Sequence, residues 1–133
     1  MRQSKSEKRE VNDMTNQNLT SFSVNRSVQI LEQEILKETG LSKAAFHRKA
    51  VEYFYNCEDR HVHPRLLITK RTDPLYVKRD AREQVYVSEK MRTQIKEISA
   101  LPYNQCSDGT VFFHALMIYC NIQYSVVFGN KKF

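Results

Sequence analysis

Glycine, proline and cysteine are scarce in this chain, three of each among 133 residues. The glycines stand apart at 40, 109 and 129, so no glycine-rich loop is available to cradle a phosphate. A nucleophile elbow is missing. No pair of ionisable side chains has a spacing that implies acid–base work. Neither an enzyme nor a bound cofactor is therefore expected. Cys57, Cys106 and Cys120 are odd in number and fit no disulfide framework, as suits reduced thiols. Long hydrophobic runs are also missing: no uninterrupted apolar stretch approaches the roughly 20 residues of a membrane span. Residues 1–18 are polar and lack the apolar centre of a secretion signal. The expected setting is the cytoplasm, with no membrane partner.

What the chain does have is positive charge and two kinds of periodicity. A formal net charge of +6 favours an anionic partner. Residues 1–18 carry Arg2, Lys5, Lys8 and Arg9 but nothing that builds a core, and read as a flexible basic arm. From Thr20 to Asn25, Phe22 and Val24 alternate with Ser21 and Ser23, the pattern of a half-buried strand with a polar outer face. Asn25 suits a helix N-cap. Val28, Leu31 and Ile35 then share one helical face, widened by Ile30 and Leu36, and Gly40 ends that helix. Ser42 caps a second helix, about Lys43 to Tyr55, in which Phe46, Ala50 and Phe54 stack. His47 on this helix reads as a surface residue.

Residues 57–81 form a basic connector with Arg60, Arg65, Lys70, Arg71, Lys78 and Arg79. Two apolar bursts, at 66–68 and 75–77, suggest short extended pieces within it. Cys57, His61 and His63 lie here in a Cys-x3-His-x-His cluster, a zinc or nickel candidate one ligand short, so no metal is expected. The first order of elements then returns. Val85 and Val87 alternate with Gln84 and Tyr86. Ser88 caps a helix that opens with Glu89 and carries Met91, Ile95 and Ile98 along one side. Pro102 stops it. Ser107 or Asp108 caps a last helix in which Phe112, Leu116 and Tyr119 form one row and Val111 and Ala115 another. His114 faces away from the Phe112 row and reads as a packing or surface residue. Residues 122–133 read as a tail or a short strand. The chain thus holds strand–helix–helix twice, an internal repeat of order with little identity.

Phe22 to Val28, then Glu38-Thr-Gly-Leu-Ser-Lys43, then the helix from Phe46 to Phe54 closely resemble the ribbon–helix–helix repressors. This is the family of Arc and MetJ, which read DNA with a β-ribbon. The turn at 39–43 is the most specific element. Val85 to Ser88, the Met91–Ile95–Ile98 face and the helix from Thr110 to Cys120 resemble the family again, although the turn at 100–106 is longer and lacks the expected glycine. The resemblance covers residues 19–56 and 82–121. It implies a mainly α fold with a short two-stranded antiparallel ribbon over four interlocked helices. A lone strand has two unpaired edges, and one helix pair cannot cover its apolar face. Two motifs in one chain therefore imply an intramolecular pseudo-dimer, with pairing between chains as the alternative.

The resemblance also implies a function: sequence-specific binding of double-stranded DNA, as a transcriptional repressor or a plasmid-associated accessory factor. A ribbon in the major groove shows every second side chain to the base edges. By parity these are Ser21, Ser23, Gln84 and Tyr86, with Arg82 upstream on the same face. Phosphates are expected at the helix N-termini marked by Ser42 and Lys43 and by Ser107; Asp108 beside Ser107 repels an anion, and the connector's arginines and lysines are candidates for replacement phosphate contacts. The alternative is an antitoxin-type or structural module that holds a protein partner through the arm, the connector or the tail. The expected state is a monomeric pseudo-dimer or a higher assembly on DNA.

Overall fold

Four short polar side chains start the four helices of this protein, whose residues 18–129 are described by a computed structural model. Asn25, Ser42, Ser88 and Ser107 are each extended, and each side chain accepts the backbone N–H three residues on. Such a cap is typically worth about 1 kcal/mol. The elements run β1 (Asn18–Val24), α1 (Arg26–Thr39), α2 (Lys43–Tyr55), a 3-10 turn (Pro64–Leu67), β2 (Ala81–Val87), α3 (Glu89–Ser99) and α4 (Asp108–Phe128). The fold is thus mainly helical with a single two-stranded sheet among the described residues. The arm expected over 1–18 lies outside the described residues, apart from Asn18, which opens β1.

β1 and β2 pair antiparallel, with Ser21 opposite Gln84 at the centre of the register. Opposed residues share a face. One face therefore carries Leu19, Ser21, Ser23, Arg82, Gln84 and Tyr86, and the other carries Thr20, Phe22, Val24, Ala81, Glu83, Val85 and Val87. β2 alternates strictly between buried and exposed along its length. The second face lies on the helices.

Most helix packing crosses between the halves: α1 packs on α4, α3 on α2, and α2 on α4. α4 is central, and every residue from Thr110 to Leu116 is buried. Phe46, Phe54, Phe112 and Phe113 are its largest buried neighbours and members, each contributing roughly 1.5–3 kcal/mol by leaving water. A helix apolar on all sides belongs in a core or a membrane. α4 is long and apolar enough to cross a membrane by length and composition. Here its N-terminal half is the core.

The stretch expected as a tail or short strand is neither up to Phe128, because α4 runs through it. No glycine or proline interrupts residues 110–128, and a nucleated helix gains a hydrogen bond with each residue added. Tyr124 and Phe128, one turn apart, stack with ring centroids 4.6 Å apart. Residues 130–133 lie outside the described residues.

The connector contains no strand. Its first apolar burst became a 3-10 turn that buries Leu66, and Val62 is buried just before it. Asn104, in the turn after α3, holds this segment down. Its Oδ1 accepts the Val62 N–H at 2.9 Å, and its Nδ2 donates to the carbonyls of Arg60 at 2.8 Å and Ile98 at 3.0 Å.

Candidate nucleic-acid interface

The outer ribbon face brings together all five residues that parity placed there. Arg82 lies across it, donating from Nε to Ser21 Oγ at 2.9 Å and from Nη1 to Ser23 Oγ at 3.2 Å. The two serines are therefore half-covered, while Arg82 and Gln84 are exposed and Tyr86 keeps 50% of its surface open. The result is a row of donors and acceptors with one aromatic ring, on a ribbon narrow enough for a major groove.

The flanking helix ends differ. Ser42 Oγ accepts the Ala45 N–H at 3.1 Å, and the adjacent Lys43 points its ammonium inward, 3.5 Å from Glu83 Oε1. Ser107 Oγ accepts the Thr110 N–H at 3.2 Å. Asp108, beside it, pairs with Lys96 at 3.0 Å, which offsets its charge at the α4 N-terminus. Gly109 lets this end approach β1: a Cβ there would lie 3.3 Å from Phe22.

Directly beneath the ribbon is a group that sequence reasoning missed. Glu32 of α1, His47 of α2 and Glu83 of β2 are 0%, 1% and 0% exposed. His47 Nε2 lies 2.6 Å from Glu32 Oε2 and 3.2 Å from Glu83 Oε1. The expectation of a surface His47 is thus corrected: the polar helix position is claimed by two carboxylates from other elements. Gln29 of α1 adds a 3.3 Å hydrogen bond to Glu83 Oε2 and a 2.9 Å bond to the Arg82 carbonyl. The available signal was Glu83 itself, a carboxylate at an inward position between Ala81 and Val85.

Burial works against charge here, and the partners work for it. Burial pushes the Glu83 carboxyl up, but hydrogen bonds to His47 and Glu32 and the charge of Lys43 outweigh it and hold it at about 2. Burial opposes a charged His47, yet its bonds to Glu32 and Glu83 raise it above the usual imidazole range. Glu32 is raised, chiefly by burial, against the pull of His47. The surroundings thus favour the ionised form of Glu83, the protonated form of His47 and the protonated form of Glu32 relative to free side chains. Among the described residues, Glu32 Oε1 and His47 Nδ1 are buried without a hydrogen bond. The three donor groups lie within 4.8 Å of one another, a spacing that also occurs around metal ions. Two donors each about 2.1 Å from one ion stand more than 3 Å apart in tetrahedral geometry. The 2.6 Å contact is that of a charge-assisted hydrogen bond instead.

The Cys57, His61 and His63 cluster does not converge. Cys57 Sγ donates to the Tyr53 carbonyl, His61 Nδ1 pairs with Asp59, and His63 Nδ1 accepts the Arg65 N–H. His114 packs inside, its Nδ1 accepting the His63 N–H at 3.1 Å, and burial lowers it to about 4. Cys120 is buried beneath the ribbon, and burial followed by the Glu32 and Glu83 charges pushes its thiol up to about 12, so it is inert.

No protein-family profile, curated protein or solved structure matches this chain.

Proposed function

We propose that this chain is a sequence-specific double-stranded DNA-binding protein, built as two ribbon–helix–helix motifs paired within one chain. The observation that carries this reading is the isolated β1–β2 ribbon, whose outward side chains are Ser21, Ser23, Arg82, Gln84 and Tyr86. Its register supports the pairing of like with like. Ser21 and Gln84 face each other, and each is followed four residues later by the N-cap of a helix. A pseudo-two-fold axis through that pair exchanges the halves. Helix packing that crosses between halves is what such an exchange requires.

In this reading the ribbon enters the major groove. Arg82 reads guanine and Gln84 reads adenine by bidentate hydrogen bonds, while Ser21 and Ser23 are less selective. The α2 and α4 N-termini, at Ser42 with Lys43 and at Ser107, flank it and hold phosphates. Repression of transcription follows wherever such a site overlaps a promoter, and a plasmid-associated accessory role uses the same surface. Because the two strands differ at every equivalent outward position, the recognised site is asymmetric.

A gel-shift titration over salt tests the reading. Affinity is expected to fall steeply as salt rises, by about 0.9 in log–log slope per phosphate held. Weak binding to every duplex at low salt contradicts it. A second reading, a module that holds a protein partner, is favoured by one observation: Ile122 and Val126 lie one turn apart on α4 and are exposed, Val126 by 67%. A partner at that end leaves the ribbon face free.

A further inference from the structure

The ribbon's outer face continues into a cavity of about 630 Å³ lined by Ser23, Arg71, Tyr76, Lys78 and Arg79. All three charged residues of that lining are cations. Ser23 belongs to the ribbon, and the other four come from the connector just before β2. The cavity sits at the end of the ribbon closed by the Val24–Ala81 pair, where the connector enters the strand.

Arg79 is the anchor. Its Nη1 donates to Thr110 Oγ1 at 3.1 Å, its Nη2 donates to the Leu66 carbonyl, and its guanidinium lies 5.5 Å from the Phe113 ring. Those partners are neutral, and among the described residues no carboxylate lies at ion-pair distance. Its Nε is buried and has no hydrogen bond there. Among the described residues the guanidinium is thus held in place with no carboxylate paired to it. Arg71 and Lys78 stand exposed around it. Of the nearest carboxylates in sequence, Asp73 accepts the Leu75 N–H at 2.8 Å, and Asp80 accepts the Arg26 N–H at 2.9 Å while its charge also acts on Lys78. A tethered cation with two exposed ones at the rim suits a phosphate, which takes several charge-assisted hydrogen bonds at once.

We propose that this cleft binds the phosphodiester backbone of duplex DNA beside one end of the ribbon, on the flank where the connector enters β2. The inference rests on the DNA reading above and adds a part of the interface outside both strand–helix–helix units. The connector joins β2 at Ala81, and among the described residues the contact has no counterpart across the proposed pseudo-two-fold axis. Phosphate contacts carry affinity and register without sequence information.

The test uses the full chain, a mixed-sequence linear duplex, and the double variant Arg71→Ala/Lys78→Ala. Arg79 is left intact because it ties the connector to α4. A urea midpoint equal to that of wild type establishes that the variant is folded. The salt slope of binding is expected to shrink by about 1.8, the value for two lost phosphates. Hydroxyl-radical protection is expected to disappear on one flank, with sequence preference kept. The charge-conserving variant Arg71→Lys/Lys78→Arg is expected to restore the slope. Wild-type duplex binding with an unchanged slope and footprint in the double variant overturns this inference and leaves the DNA reading standing. Wild-type protein that binds no duplex overturns both.

Discussion

Glu32 and Ile95 each stand seven residues past the N-cap of the first helix in their half, and His47 and Phe112 each stand five past the N-cap of the second. The His47 and Phe112 rings meet edge to face, centroids 5.1 Å apart, beneath the ribbon. In the strands, Glu83 and Thr20 each precede the next N-cap by five residues. Under the proposed pairing of the two halves, one side of the core is a carboxylate–imidazole–carboxylate network, and the equivalent side is isoleucine, phenylalanine and threonine. Phe112 also stacks on Phe22 at 5.0 Å, a residue whose counterpart in β2 is Val85. The same backbone arrangement accepts either solution, provided each side is matched internally: charge with counter-charge, or ring with ring. A buried ion network of this kind is costly to break and cheap to replace whole.

The largest effect is expected from breaking the charged side alone. His47→Ala leaves two carboxylates buried with Lys43 as the cation near them and the Gln29 amide bonded to Glu83, and should lower stability by about 3–5 kcal/mol in urea titration at pH 7. Phe112→Ala is expected to cost a similar amount through its cavity. Acid separates the two. The His47→Ala deficit should narrow as the carboxylates protonate, whereas the Phe112→Ala deficit has no carboxylate to relieve. Equal deficits at every pH contradict the comparison.

Transplanting the apolar side onto the charged one sharpens it further. The triple variant Glu32→Ile/His47→Phe/Glu83→Thr is expected to be neutral or more stable by about 1–4 kcal/mol. A clear loss would show that the two sides are not interchangeable.

The wild-type pH profile should reflect both histidines. Glu83 is held at about 2, below its ordinary value of 4.5, so its stabilisation is present above 4.5 and lost as pH falls toward 2. His114, lowered from 6.5 to about 4, also resists acid, and its contribution is lost as pH falls from 6.5 through 4. His47 is raised above 6.5, so its contribution is present below 6.5 and lost as pH rises through its folded value. Glu32, also raised, favours folding at low pH and gives that up as pH rises. The urea midpoint should therefore fall on both sides of a maximum. The triple variant should lose the alkaline decline and keep the His114 part of the acid one.

The smallest effects concern the turns. Gly40 ends α1 with φ 74°, while the longer turn of the second half places a non-glycine, Gln105, at φ 42°. Gly40→Ala should cost about 1–2 kcal/mol, and Gln105→Gly should recover part of a similar strain. Thermal unfolding resolves both, and a stabilising Gly40→Ala contradicts the assignment.

Much of the fold was legible because local signals agreed with one another. Asn25, Ser42, Ser88 and Ser107 announced their helices, and the alternation at 84–88 announced a strand with the observed outer face. Ser21, Ser23, Arg82, Gln84 and Tyr86 followed from parity alone. What escaped was set by tertiary contacts. His47 looked like a surface residue because its two partners come from α1 and β2, 15 and 36 positions away in the chain. The connector's basic residues were legible as candidate phosphate contacts, but the cleft that gathers them was not, because the connector's path depends on Asn104 and Arg79, whose bonds span 42 and 31 positions. The end of α4 was misread because Val126-Val127-Phe128 has strand-like composition, and propagation of an existing helix prevailed.

The most direct measurement is selection of binding sites from random-sequence duplexes by the full chain, repeated with Gln84→Ala. Enrichment of one asymmetric site is expected, with the variant relaxing preference at the centre of the site and leaving its flanks unchanged. No enriched sequence, or an enriched site indifferent to Gln84, contradicts a ribbon that reads DNA.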